Sequence, residues 1–133
     1  MAVAALITWL LTAVGGFVML GKWIAGGGHR PGGTSRLAPG LVFGHFALAA
    51  IGLVLWIVYL VAGGDVLAWT AFVVLLPVAL LGFTMLARWI PSVRGSDGGT
   101  DASFPIPVVV GHGLLAATTL VLVLLTAAGV GVS

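Results

Sequence analysis

The 133-residue sequence has no cysteine, glutamate, asparagine or glutamine, and only 6% of its residues are charged. Without cysteine there can be no disulfide, thiolate zinc site or iron–sulfur cluster. Soluble domains carry about 25% charged residues, so water-soluble folds are excluded. The only acids are Asp65, Asp97 and Asp101, all in loops outside the apolar runs. That placement argues against a proton-coupled exporter built on a buried carboxylate. It also leaves few groups with which to strip and coordinate a transported ion, and no nucleophile, base and orienter for a hydrolase. A net charge of +2 is too small to suggest nucleic-acid binding. The glycine runs at 26–28 and 98–99 lack the Lys–Ser/Thr that completes a phosphate loop.

Apolar residues fill the space left by these absences, at 61% of the chain. Four stretches are long enough to cross a hydrocarbon core of about 30 Å, which takes about 20 residues in a helix. They predict helices over about 2–24, 41–62, 66–90 and 108–129, with Pro77 inside the third. Their length favours helices over barrel strands, which show alternation over about ten residues. The first run lacks a basic N-terminal region and is too long for a signal-peptide core, so it reads as a true span. The fold class expected is an all-α membrane protein whose single transmembrane domain, 1–133, is a four-helix bundle.

Two long loops rich in Gly, Pro and Ser, 25–40 and 91–107, alternate with a tight turn at Gly63, Gly64 and Asp65. All five basic residues, Lys22, Arg30, Arg36, Arg88 and Arg94, lie in or beside the long loops. The positive-inside rule then places both loops in the cytoplasm and both termini outside. The expected location is integral to a lipid bilayer, a bacterial inner membrane.

The sequence also repeats itself. Gly16, Phe17, Met19, Lys22 and Trp23 are answered, at an offset of 66, by Gly82, Phe83, Met85, Arg88 and Trp89. Gly44, His45, Ala49 and Ala50 are answered, at an offset of 67, by Gly111, His112, Ala116 and Ala117. This reads as two tandem helical hairpins, 1–64 and 65–133. Each has an even number of spans, so the copies insert with the same polarity as a parallel repeat, and a pseudo-twofold axis runs down the bundle.

Apart from Tyr59, the ionisable residues expected within the hydrocarbon are His45 and His112. Each comes four residues after its predicted helix start, about 6 Å inside the loop-side boundary. Intramembrane ionisable residues are costly and tend to be functional. Two imidazoles at one depth could ligate a single metal. Ala49 and Gly52 follow His45 on its helix face, and Ala116 and Thr119 follow His112, leaving a slot in which a porphyrin could lie. Small residues also serve simply to bring membrane helices together. Met19 and Met85 fall near the histidine layer and could add thioether ligands suited to Cu(I), or could be core filler. His29 reads as a solvated loop residue, and Trp23, Trp89, Trp56, Tyr59 and Trp69 as interfacial aromatics, with walls of a cofactor or quinone pocket the alternative use of Trp23 and Trp89.

The pairs Gly44–His45 and Gly111–His112, set in a compact apolar bundle, resemble the membrane b-type cytochromes. In those proteins two histidines hold one haem axially. The resemblance implies one haem b per chain between helices two and four, with propionates turned toward Lys22, Arg36, Arg88 and Arg94. It implies electron transfer to or from quinone or a partner redox subunit, so that the chain acts as a relay rather than a stand-alone enzyme. Three readings stay open: that cytochrome, a copper- or haem-handling membrane protein, and a noncatalytic assembly or transport subunit with structural histidines. Homo- or hetero-oligomers are compatible with each.

Overall fold

A computed structural model describes residues 1–95 and 98–131; Asp97 lies outside them. Helices α1 (Ala2–Ala25), α2 (Pro39–Ala62), α3 (Asp65–Arg94) and α4 (Ile106–Ala127) are joined by two loops, the second containing a short 3-10 turn at Thr100–Ser103, and by one tight turn. All four are long and apolar enough to cross a membrane. At 1.5 Å per residue, the shortest spans about 33 Å.

Prolines set the starts of α2 and α4 and shift them from the sequence expectation. Pro39 opens α2, and Ala38 before it is extended at φ −65°, ψ 140°. A residue preceding proline avoids helical geometry, while proline suits the first helical position. α4 likewise starts at Ile106 after extended Pro105. α3 runs four residues beyond Ile90, through Pro91 to Arg94. At the middle turn, Gly63 and Gly64 adopt φ 73° and 98°, which only glycine tolerates readily, and end α2 abruptly.

α1 packs mainly on α4 and α2 mainly on α3; α3 also meets α4, and α1 touches α2 only lightly. The helices therefore run α1–α4–α3–α2 around the bundle, with α2 and α4 diagonal to each other. Two apolar clusters stack along it. One, toward the termini and the tight turn, centres on Ala5, Trp9, Trp56, Ala71, Leu75 and Val123. The other, beneath the long loops, consists of Trp23, Leu37, Trp89 and Phe104, with Met19, Met85, Val42 and Val109 packed on it. The outer surface carries exposed Val61, Val66, Leu80 and Phe83. An apolar surface of this extent suits a lipid bilayer.

The tryptophans correct the interfacial reading. Trp23 and Trp56 are 1% and 0% exposed. Their indole N–H groups donate inward, Trp23 to Ser35 Oγ and Trp56 to the Ala2 carbonyl. Trp89 is also buried and donates to the Asp101 carbonyl. A buried indole needs such a partner. Trp69 alone of the four is exposed.

Candidate histidine-pair site

His45 on α2 and His112 on α4 face each other across the bundle, with ring centroids 6.3 Å apart and planes at 58°. Each ring is anchored to the neighbouring helix. His45 Nδ1 lies 2.9 Å from the Val78 carbonyl on α3, and His112 Nδ1 lies 2.8 Å from the Thr12 carbonyl on α1. A carbonyl can only accept, so Nδ1 carries the proton in both rings. In the neutral ring Nε2 then keeps its lone pair. This is how metal-binding histidines are commonly oriented, by a hydrogen bond from the other ring nitrogen.

Each ring sits further along its helix than the predicted start implies. Six residues separate each histidine from its helix start, about 9 Å of rise. Their carbonyl partners, Thr12 and Val78, lie near the middle of α1 and α3. The offset arises because α2 and α4 begin two residues earlier than expected.

The glycines that matter here are not the ones beside the histidines. A Cβ at Gly44 or Gly111 would meet nothing within 4 Å, whereas one at Gly16 would sit 3.2 Å from His112 Cε1 and one at Gly82 3.3 Å from His45 Cε1. Gly16 and Gly82 thus make room for the imidazoles. Each is also four residues after the carbonyl that anchors the same ring.

The other predicted residues divide by level. Ala49 is half-buried against the terminal-side cluster. Gly52 is covered by Trp9, whose ring would lie 3.0 Å from an added Cβ. Thr119 is 3% exposed and donates to Thr8 Oγ1 or the Leu115 carbonyl. Packing therefore closes the space above Gly52 and Thr119, two turns from the histidines. Ala116 is half-buried one turn from His112. Met19 and Met85 pack against the loop-side aromatic cluster. Arg36 and Arg88 meet at the loop end, where Arg88 Nη1 donates to the Arg36 carbonyl at 3.5 Å. Lys22 and Arg94 are exposed. His29 is half-buried rather than solvated, its ring 6.2 Å from that of Trp23.

Among the described residues no three His, Cys, Asp or Glu side chains converge to hold a metal ion. The donor set is two imidazoles. It suits a metal that brings its own equatorial ligands better than a bare ion needing three or four protein donors.

Sequence reasoning missed the polar network at the loop end. Asp101 is fully buried and accepts hydrogen bonds from Ser35 Oγ (2.6 Å) and the Arg36 N–H (2.7 Å). Thr34 and Thr100 hydroxyls meet at 3.1 Å. The signal was present: Gly-Gly-Thr at 32–34 recurs at 98–100, and Pro39 recurs at Pro105, all at an offset of 66.

No protein-family model, curated protein or solved structure matches this chain.

Proposed function

We propose that this chain is an integral membrane b-type cytochrome that binds one haem between α2 and α4, which His45 and His112 would hold. The observation that carries the reading is the pair of facing imidazoles, each with Nδ1 committed to a main-chain carbonyl. That arrangement fixes ring orientation and leaves Nε2 of each neutral ring with a lone pair able to ligate a metal. Haem supplies a one-electron couple, whose potential follows axial ligation, burial and nearby charge.

The protein's part is to orient and to exclude water. Gly16 and Gly82 let the rings seat, the Trp9 layer closes one side, and the loop-side tryptophans close the other. At the loop end Arg88 donates to the Arg36 carbonyl, and guanidinium groups there would suit propionates directed toward the loops. In this reading the chain would serve as a relay to or from quinone or a partner redox subunit.

A duplicated hairpin accounts for the matched contacts. Thr12 and Val78, Gly16 and Gly82, and Trp23 and Trp89 all stand at the same offset of 66 and play matching roles. The basic residues at the loop end support cytoplasmic loops and outward termini in an inner membrane.

The test is a reduced-minus-oxidised spectrum of the purified polypeptide, with His45→Ala and His112→Ala alongside. The wild type is expected to show a Soret band and a sharp α band on reduction, and each variant to lose the low-spin signal while still inserting. A colourless wild-type protein, or a variant with an unchanged spectrum, overturns the assignment.

A further inference from the structure

We propose that Ser35 and Asp101 form a latch that shuts the loop end of the bundle and keeps water from the histidine layer. Asp101 is the fully buried acid at that end. Burying a carboxylate is costly unless donors surround it, and here both oxygens are engaged, Oδ1 by Ser35 Oγ and Oδ2 by the Arg36 N–H. These bonds tie the first loop to the second. Thr34 and Thr100 tie them again: Thr100 N–H donates to Thr34 Oγ1, and Thr100 Oγ1 donates to the Gly26 carbonyl.

The latch residues also hold the aromatic lid. Ser35 Oγ accepts the Trp23 indole N–H at 2.8 Å while donating to Asp101, and the Asp101 carbonyl accepts the Trp89 indole N–H at 3.0 Å. Trp23 and Trp89 form one cluster with Leu37 and Phe104, and Val42 and Val109 pack beneath it. Those two valines are each three residues before a histidine, one helical turn away. Water entering from the loops must therefore displace indoles that Ser35 and Asp101 pin in place. Asp101 is a positioning residue, and its latch does not depend on what the rings hold.

The test is hydrogen–deuterium exchange in lipid nanodiscs, read by mass spectrometry at the Cε1 position of His45 and His112 and at the backbone of 33–37 and 99–104. Haem content is recorded on each preparation, so that loss of cofactor is separated from an opened latch. Asp101→Ala removes an acceptor of two charge-assisted bonds and is expected to speed exchange at both histidines at least tenfold. Ser35→Ala, a milder lesion that serves should Asp101→Ala fail to insert, is expected to speed it severalfold. The double variant Ser35→Asp with Asp101→Ser exchanges the two facing partners and is expected to restore slow exchange. Unchanged histidine exchange in the single variants overturns the latch, as does a folded double variant that exchanges as fast as Asp101→Ala.

Discussion

Replacing Gly82 by alanine separates fold from site, because the two respond with opposite sign. In a helix interior, alanine is favoured over glycine by about 1 kcal/mol, so α3 itself should gain from the change. The added Cβ, however, would stand 3.3 Å from His45 Cε1. Carbon atoms attract best at about 3.5–4.0 Å, so the ring must retreat by a few tenths of an ångström. Retreat carries Nδ1 away from the Val78 carbonyl, now 2.9 Å distant, and turns Nε2 with it. Weakening a hydrogen bond worth about 1 kcal/mol lowers ligand retention by up to about fivefold. Gly16→Ala should act in the same way on His112, where the gap is 3.2 Å. Gly44→Ala and Gly111→Ala are the controls, since their Cβ atoms would enter open space. The assay is Soret absorbance per protein, with thermal unfolding measured on the same samples. The expected result is lower haem retention for the position 16 and 82 variants with undiminished thermal stability, and wild-type retention for 44 and 111. Equal retention in all four variants would refute the reasoning, as would a loss at 44 or 111 matching that at 16 or 82.

Met19→Leu and Met85→Leu, near-isosteric changes in the loop-side cluster, should cost less than about 1.5 kcal/mol of stability and leave the visible spectrum unchanged; a spectral loss would place thioether sulfur at the metal. Thr119→Val removes the hydroxyl that meets Thr8 and should lower unfolding stability by about 1 kcal/mol with no change in haem content. Trp9→Ala empties the space over Gly52 and should destabilise by about 3–5 kcal/mol, read as a lower thermal midpoint. A neutral result would mean that Trp9 is not the packing element that closes that layer.

The four spans were legible because apolar runs of this length have few alternatives, and the structure has four helices suited to crossing a membrane. Their ends were less so. Counting from the first clearly apolar residue overlooked that Pro39 starts α2, while Pro91 in the last turn of α3 does not stop it. Those shifts put each histidine six rather than four residues from its helix start. That His45 and His112 come within 6.3 Å was suggested by their matching context, but their orientation was hidden, since it comes from carbonyls of Thr12 and Val78 that any residue would provide. The glycines adjoining the histidines attracted attention by position alone; which glycine approaches a ring depends on helix rotation, which the sequence does not display. The tryptophans were misread for a related reason. Beside Lys22 and Arg88 they look interfacial, yet the loops fold back with acceptors at Ser35 and Asp101 that draw the indoles inward. Extending the repeat comparison from the helices into the Gly-Gly-Thr segments would have flagged those loops.

Near-infrared magnetic circular dichroism of the oxidised protein tests the central claim most directly, because its charge-transfer band reports the axial ligands themselves. A bis-imidazole band that vanishes in both His45→Ala and His112→Ala is expected. A band of methionine–histidine type, or one that survives either substitution, would contradict it.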